Sequence, residues 1–253
     1  MNLDIHPTAI VEDGAQLGEG CVVHAYAIIK RHVVLGEGVV VHPHAVVGGD
    51  PQDLSFDTAT ATGVRIGART VIREHVTIHR ATRPDGWTEI GADCLLMVGC
   101  HIAHDCFLAN RVIVANNVLF AGHIHVDEGA FIGGGTAMHQ FTRIGAGAMV
   151  GGASRISKDV PPFSMVTERD DIIGLNVVGL RRRGLPRATV DELKRAFREV
   201  NVPVGNMREI AAAALARGTY TSDEAMLYLE FFGAGKRSIA RVRRRGTGAG
   251  SAD

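Results

Sequence analysis

Four histidines and one carboxylate lie close together in the sequence: His101, His104, Asp105, His123 and His139, in the strings HIAHDC, AGHIH and MHQF. Imidazole exchanges a proton near neutral pH, so a histidine suits general-base work. An adjacent carboxylate can fix its tautomer and stabilise the imidazolium. His104 followed by Asp105 has that form. No serine or cysteine sits on the same column of the repeat as an obvious nucleophile, which favours direct attack by a substrate hydroxyl over an acyl-enzyme. His101 and His104 also allow a different chemistry, a zinc ion held by three histidines with an open position for water. A lone histidine on a surface is commonly just solvated, so the reading depends on whether the fold brings these residues together.

An aliphatic or aromatic residue opens every block of six from Ile90 to Ile156: Ile90, Leu96, Ile102, Leu108, Val114, Phe120, Val126, Ile132, Met138, Ile144, Val150 and Ile156. No α-helix repeats at six. A short strand plus a corner does, and three such sides close a triangular turn of about eighteen residues, which stacks into a parallel β-helix. The same ruler places Gly122 eighteen residues after His104 and Gln140 eighteen after Gly122. His104, His123 and His139 therefore form a column on one side of three adjacent turns. The Gly122 N–H, with no Cβ in the way, can face a developing oxyanion. A flat side makes a poor pocket, so a neighbouring subunit is expected to complete the site.

The repeat starts at Ile5 and runs to Val47, and two stretches interrupt it. Residues 48–65 and 79–89 are aperiodic, the second turning at Pro84-Asp85-Gly86, and both read as loops leaving the coil. Gly86 falls eighteen residues before His104, so the second loop should flank the column. Cys94, Cys100 and Cys106 are six apart. One block moves to another side of the coil, so these thiols diverge and read as packing residues.

The coil is expected over 1–167, ending beyond Pro161-Pro162, followed by a connecting segment over 168–186. Residues 187–235 read as three short helices. Thr189 and Glu192 form a capping box for the first, Gly218 stops the second and Ser222 caps the third. The basic stretch from 236 to 253 reads as a flexible tail. Its charge run, Lys236 to Arg245, would suit an acidic partner, although such runs are usually just solvated. Formal net charge is zero, which gives no bulk attraction for nucleic acid. No stretch reads as a signal peptide or a membrane span. A reducing cytoplasm is the expected setting, and the unpaired cysteines fit it.

The strings IHPTAIVEDGA, PQDL, IREHVTIHRAT, HIAHDC, ANN, AGHIHVD, GGGTAMHQF, MVGG, KDVPP and NVVGLRRRG occur in order over residues 5–184. Together they resemble the family of acyl-[acyl carrier protein]–UDP-N-acetylglucosamine O-acyltransferases, which begin lipid A synthesis. The resemblance implies a left-handed parallel β-helix with a small C-terminal helical domain, a homotrimer with sites between subunits, and no metal or cofactor. It implies transfer of an R-3-hydroxyacyl chain from the phosphopantetheine thioester of acyl carrier protein to the sugar 3-hydroxyl. By matched position, His104 is the general base, Asp105 its partner and Gly122 the oxyanion donor. Gln52, Asp53 and His101 would contact the sugar nucleotide, with His123, His139 and Gln140 lining the cleft. Gly152 would occupy the position that limits acyl length. Asn176, Arg182 and Arg183 would face phosphates, where guanidinium forks suit anions.

Two positions depart from the family pattern. Ser55 stands where a lysine is usual and Val178 where glutamate is frequent. Both belong to segments expected to touch substrate. They leave open an acceptor with a 3-amino group, which would yield an amide. Other readings are a hexapeptide acyltransferase with another donor or sugar, a zinc hydratase of the gamma carbonic anhydrase type, and a scaffold without catalysis, which leaves the histidines unexplained.

Overall fold

The computed structural model describes residues 2–243. Mostly two-residue strands alternate with four-residue corners, and from Asp4–Ile5 to Arg155–Ile156 every strand pairs in parallel with the strand one turn away. Three sheets result, of 11, 8 and 7 strands, and they are the faces of a triangular coil. The first face carries Leu95–Leu96, the second His101–Ile102 and the third Phe107–Leu108, after which the cycle repeats. The register is kept at eighteen residues through the long uninterrupted run, as in His101 with Leu119 and Leu119 with Ala137.

The aliphatic residue that opens each block of six is the last residue of its strand. Its side chain points inward, and Ile102, Leu108, Val114, Val126 and Ile132 are all fully buried. Stacking these chains removes their surface from water at about 25 cal/mol per Å2. The corners between them need a left-handed backbone residue. Glycine takes it at 99, 129, 135 and 147, and Asp105, His123 and Phe141 take it at one corner with φ of 59°, 61° and 64°. Asp93, Arg111 and Asn117 do so elsewhere. Cys94, Cys100 and Cys106 are buried at three different corners, as their spacing requires.

The interruptions are shorter than the aperiodic sequence suggested. Strand pairing continues through Gly49 and resumes at Gly63, so the first loop covers 50–62 rather than 48–65. The second covers 80–86 rather than 79–89. Both leave the coil at the corner between the second and third faces. They also hydrogen-bond each other, with Asp85 N–H donating to Ala61 O at 2.7 Å and Gly63 N–H to Gly86 O at 3.1 Å.

The segment 168–186 is more than a connection. Asp171–Leu175 forms a strand antiparallel to Ser164–Thr167, and Val177–Arg182 is a helix, α1, capped by Asn176. Helices α2 (Arg187–Asn201), α3 (Met207–Ala216) and α4 (Asp223–Glu230) follow, so the helical region has four helices, beginning ten residues earlier than expected. Ser222 caps α4 and Gly218 follows the end of α3 with φ of 64°, as read from sequence. The Thr189 capping box does not form. Helix α2 starts three residues earlier, with Pro186 as its N-cap, and the Glu192 carboxylate instead accepts from the Thr221 and Ser222 N–H groups at 2.9 Å each.

The stretch from 236 to 243 also departs from expectation. Ile239 and Ala240 are buried, and Arg241–Val242 pairs in parallel with Asp171–Ile172. Residues 244–253 of the expected tail lie outside the described residues. Among the described residues, no helix is long and apolar enough to cross a membrane.

Because each coil layer rests on its neighbours, one large inward side chain should matter. Phe120 is 1% exposed. Phe120→Ala is expected to lower unfolding free energy by about 3–5 kcal/mol, read as a fall in the denaturant midpoint.

Candidate active site

The histidine column lies on a corner of the coil and not on a flat side. His104 follows the strand His101–Ile102, in the turn towards the third face. Gly122 and His123 occupy the same corner one turn on, and His139 and Gln140 the next. The two loops leave this same corner on the preceding turns. The chain's own loops therefore flank the column.

His104 Nδ1 and Asp105 Oδ2 are 2.7 Å apart. Asp105 is held on every side. Its Oδ2 also accepts from the Thr82 hydroxyl at 2.7 Å and the Thr82 N–H at 3.1 Å, and its own N–H donates to Thr88 Oγ1 at 2.9 Å. Arg83 Nε lies 4.0 Å from Oδ1, and His123 Nε2 lies 3.7 Å from Oδ2. Burial pushes this carboxyl up, but the hydrogen bonds from Thr82 and His104 outweigh it, and the net pKa lies below the ordinary carboxylate range. An ionised Asp105 accepts only, so His104 places its proton on Nδ1. Its Nε2 is then left as the basic atom.

The His104 ring lies over Gly122. A Cβ built there would sit 2.4 Å from His104 Cε1, so only glycine permits this ring position. Among the described residues the Gly122 N–H donates no hydrogen bond. His123 meets His104 edge-on, with ring centroids 5.1 Å apart, and stacks on Phe141 at 4.6 Å. Burial lowers the pKa of His123, with Asp105 opposing.

His101 is on the second face, and its Nδ1 bonds to Thr77 Oγ1 at 2.7 Å. Beside it lies His79, which sequence reasoning missed. The two rings meet edge-on at 4.8 Å, and His79 Nδ1 is buried with no partner among the described residues. Burial, with His101 and His104 nearby, pulls His79 down to about 4, and burial lowers His101 as well. Both rings are thus held uncharged at neutral pH.

Gln52 and Asp53 are exposed on the first loop. Ser55 donates to Asp53 Oδ1 from its N–H at 2.9 Å and its hydroxyl at 2.7 Å. These bonds hold the Asp53 carboxyl below its usual range, with a smaller contribution from His104. Past His139 and Gln140 runs a groove of about 670 Å3 with a largely apolar floor, Ala121, Ala137, Met138 and Ile156, and with Arg155 and Arg169 among its lining residues.

The remaining expected residues are not part of this corner. Gly152 lies between the first and second faces. Asn176 donates to Gly147 O at 3.2 Å and Arg183 to Gly129 O at 2.7 Å, both between the third and first faces. Arg182 is exposed near them at the end of α1.

Ligand atoms of His104, Asp105 and His123 lie within 4.8 Å of one another, close enough in principle for a metal. A metal on Asp105 Oδ2 would compete with the donors already there, His104 and Thr82. His101, the other half of the zinc reading, is turned to Thr77 and does not join the group.

The helical region matches the family model described as UDP-N-acetylglucosamine O-acyltransferase, domain 2, over residues 159–240. Residues 14–49 match the bacterial transferase hexapeptide model. A curated acyl-[acyl-carrier-protein]–UDP-N-acetylglucosamine O-acyltransferase of Agrobacterium fabrum is 38% identical, covering 95% of this chain and 96% of its own. The chain belongs to that O-acyltransferase family. A relative of the same name from Rhizobium rhizogenes is 42% identical over 80% of this chain and 74% of its own. The solved UDP-N-acetylglucosamine acyltransferase of Campylobacter jejuni superposes with a TM-score of 0.84 at 37% identity, covering 95% of this chain and all of that one. The coil is accordingly the left-handed β-helix that the sequence resemblance implied. Of the two departures from the family, Val178 is exposed on α1, and Ser55 is occupied with Asp53.

Thr82 bears on the placement of Asp105. Its hydroxyl and N–H are among the bonds that hold this carboxyl ionised beside His104. Thr82→Val keeps the N–H and removes the hydroxyl, and should lower kcat/KM by about tenfold, whereas Thr82→Ser should restore it.

Proposed function

We infer that the protein transfers an R-3-hydroxyacyl group from the phosphopantetheine thioester of acyl carrier protein to the 3-hydroxyl of UDP-N-acetylglucosamine, the first step of lipid A biosynthesis. The observation that carries the reaction is the His104–Asp105 pair, with the His104 ring lying over Gly122. His104 Nε2 takes the proton of the sugar hydroxyl as the oxygen attacks the thioester carbonyl. Asp105 holds the ring and stabilises the imidazolium. The tetrahedral oxyanion faces the Gly122 N–H. Collapse breaks the carbon–sulfur bond, and the leaving thiolate takes the proton back from His104. The product is an ester, with carrier-protein thiol released and no cofactor or metal needed.

Binding roles follow from placement. Gln52 and Asp53 on the first loop, and uncharged His101 on the second face, present polar groups to the sugar nucleotide. His123, His139 and Gln140 line the path to the groove, whose apolar floor suits an acyl chain. Gly152, Asn176, Arg182 and Arg183 sit on the other corners, so they serve this site from neighbouring subunits of a homotrimer. There Gly152 limits the chain and the arginines face phosphates. A soluble cytoplasmic enzyme is the corresponding setting.

Acyl transfer from a series of R-3-hydroxyacyl carrier proteins, with UDP-N-acetylglucosamine in one arm and its 3-amino analogue in the other, tests the reading. Ester product in the first arm supports it, and amide alone would reassign the acceptor. His104→Ala should lower turnover by about 10²–10⁴-fold while sedimentation still shows a trimer. Near-normal turnover in that variant would overturn the role of His104, and a fully active monomer would overturn the shared site.

A further inference from the structure

Arg80 is an arginine that no part of the mechanism above uses, yet it is only 5% exposed. It is the first residue of the second loop, and its own N–H donates to Gly49 O at 2.9 Å, just before the first loop leaves the coil. Its guanidinium points into that first loop. Nε donates to Asp50 Oδ1 at 2.8 Å, Nη2 to Thr58 O at 2.8 Å, and Nη1 to Thr60 O at 2.8 Å and Thr62 Oγ1 at 3.4 Å. The face of the guanidinium lies 4.8 Å from the Phe56 ring centroid. Residues 50, 56, 58, 60 and 62 thus all close on one planar cation.

This is an unusual way to hold a loop. A chain segment without regular structure has backbone carbonyls that must find donors, and here two of them share one side chain. Burying a guanidinium is costly unless its donors are met, so the arrangement works as a unit or not at all. The same loop carries Gln52 and Asp53, with Ser55 folded back on Asp53. Two residues beyond Arg80 in the chain, Thr82 holds Asp105. One short segment, 80–82, therefore grips the loop with one side chain and the catalytic carboxylate with another.

We propose that Arg80 is a positioning residue for the acceptor: it sets the shape of the 50–62 loop, and through it places Gln52 and Asp53 against the sugar nucleotide in fixed relation to His104. The inference rests on the acceptor reading above. A lysine cannot replace the fork, because its single ammonium reaches one or two of these oxygens and lacks the flat face that lies on Phe56.

The test compares wild type with Arg80→Met, Arg80→Lys and the milder Asp50→Asn, which removes only the charge of the Nε partner and keeps the coil untouched if Arg80→Met fails to fold. Two readouts are used on the full-length assembly. The first is direct titration with UDP-N-acetylglucosamine, together with KM for sugar nucleotide and for acyl carrier protein. The second is chymotrypsin cleavage after Phe56, identified by fragment mass. Loosening should speed cleavage by about tenfold or more. Sugar-nucleotide affinity should fall about tenfold, with KM for acyl carrier protein held and the acid limb of the pH profile unmoved. Asp50→Asn should give a smaller effect in the same direction. Unchanged cleavage, unchanged sugar-nucleotide affinity, or an equal loss for both substrates overturns the proposal. A wild-type protein that neither binds nor acylates UDP-N-acetylglucosamine overturns the proposed function itself, and with it the acceptor role of Arg80. The cleavage rates would still tell whether Arg80 holds the loop.

Discussion

Everything in this protein depends on the register of the parallel ladder. Strand residues donate to the carbonyl seventeen positions on, as His101 N–H does to Val118 O at 2.8 Å and Leu119 N–H to Thr136 O at 2.8 Å. A one-residue slip would turn Ile102, Phe120 and Met138 outward and bring His101, Leu119 and Ala137 in. The aliphatic column forbids that slip. The same constraint stacks the corners, so Asp105, His123 and Phe141 repeat one left-handed backbone position on successive turns. The geometry of the candidate site is a by-product of core packing: the corner is where it is because the inward residues are fixed in the core.

The register accounts for a line of residues, and a line is not a pocket. Flanking that line are the two loops that leave the coil at this corner. They cannot borrow ladder hydrogen bonds, so polar side chains replace them. Arg80 supplies the first loop, Thr82 ties the second to Asp105, and Thr88, in the strand that follows, holds the Asp105 N–H. In each case a buried charge is surrounded by enough partners to be tolerated. The consequence for chemistry is that the carboxylate beside His104 is rigid and ionised, while His79 and His101 are kept neutral by burial. Under the proposed function, a site with His104 as its base and two uncharged imidazoles would hold a sugar hydroxyl without competing for its proton.

The periodic part of this design was plain in the sequence. A run of aliphatics at six gives the coil, and eighteen gives the neighbours of His104, including Gly122. The error of placing the column on a flat side came from phase. The residue opening each block ends its strand, so a histidine two positions later has already turned the corner. Thr82 and Arg80 were not legible, because their partners lie 23 and 30 residues away across loops that break the ruler. The capping box at Thr189 failed for another reason. Pro186 begins α2 earlier, and Glu192 is more useful to the unsatisfied N–H groups ahead of α4. The stretch from 236 read as flexible because its charges dominate. Yet Ile239 and Ala240 are buried, and residues 238–240 dock beside Asp159, which donates to Ser238 O and accepts from the Ala240 N–H.

One consequence of a triangular coil reaches past the single chain. Its three corners point away from one another, and residues on different corners cannot meet within one prism. Here His104 and Asp105 are on one corner, Gly152 on a second, and Asn176 and Arg183 on the third, the last two anchored to Gly147 and Gly129 of their own coil. If all of them serve one reaction, the meeting point must be a cleft between coils packed side by side. The chain's own loops then wall one side of that cleft, and a neighbour's corners wall the other. Threefold packing is the simplest closed arrangement in which each prism offers one corner to each neighbour and every site is identical. The division of the expected residues among corners thus argues for shared sites more strongly than the flatness of any face does.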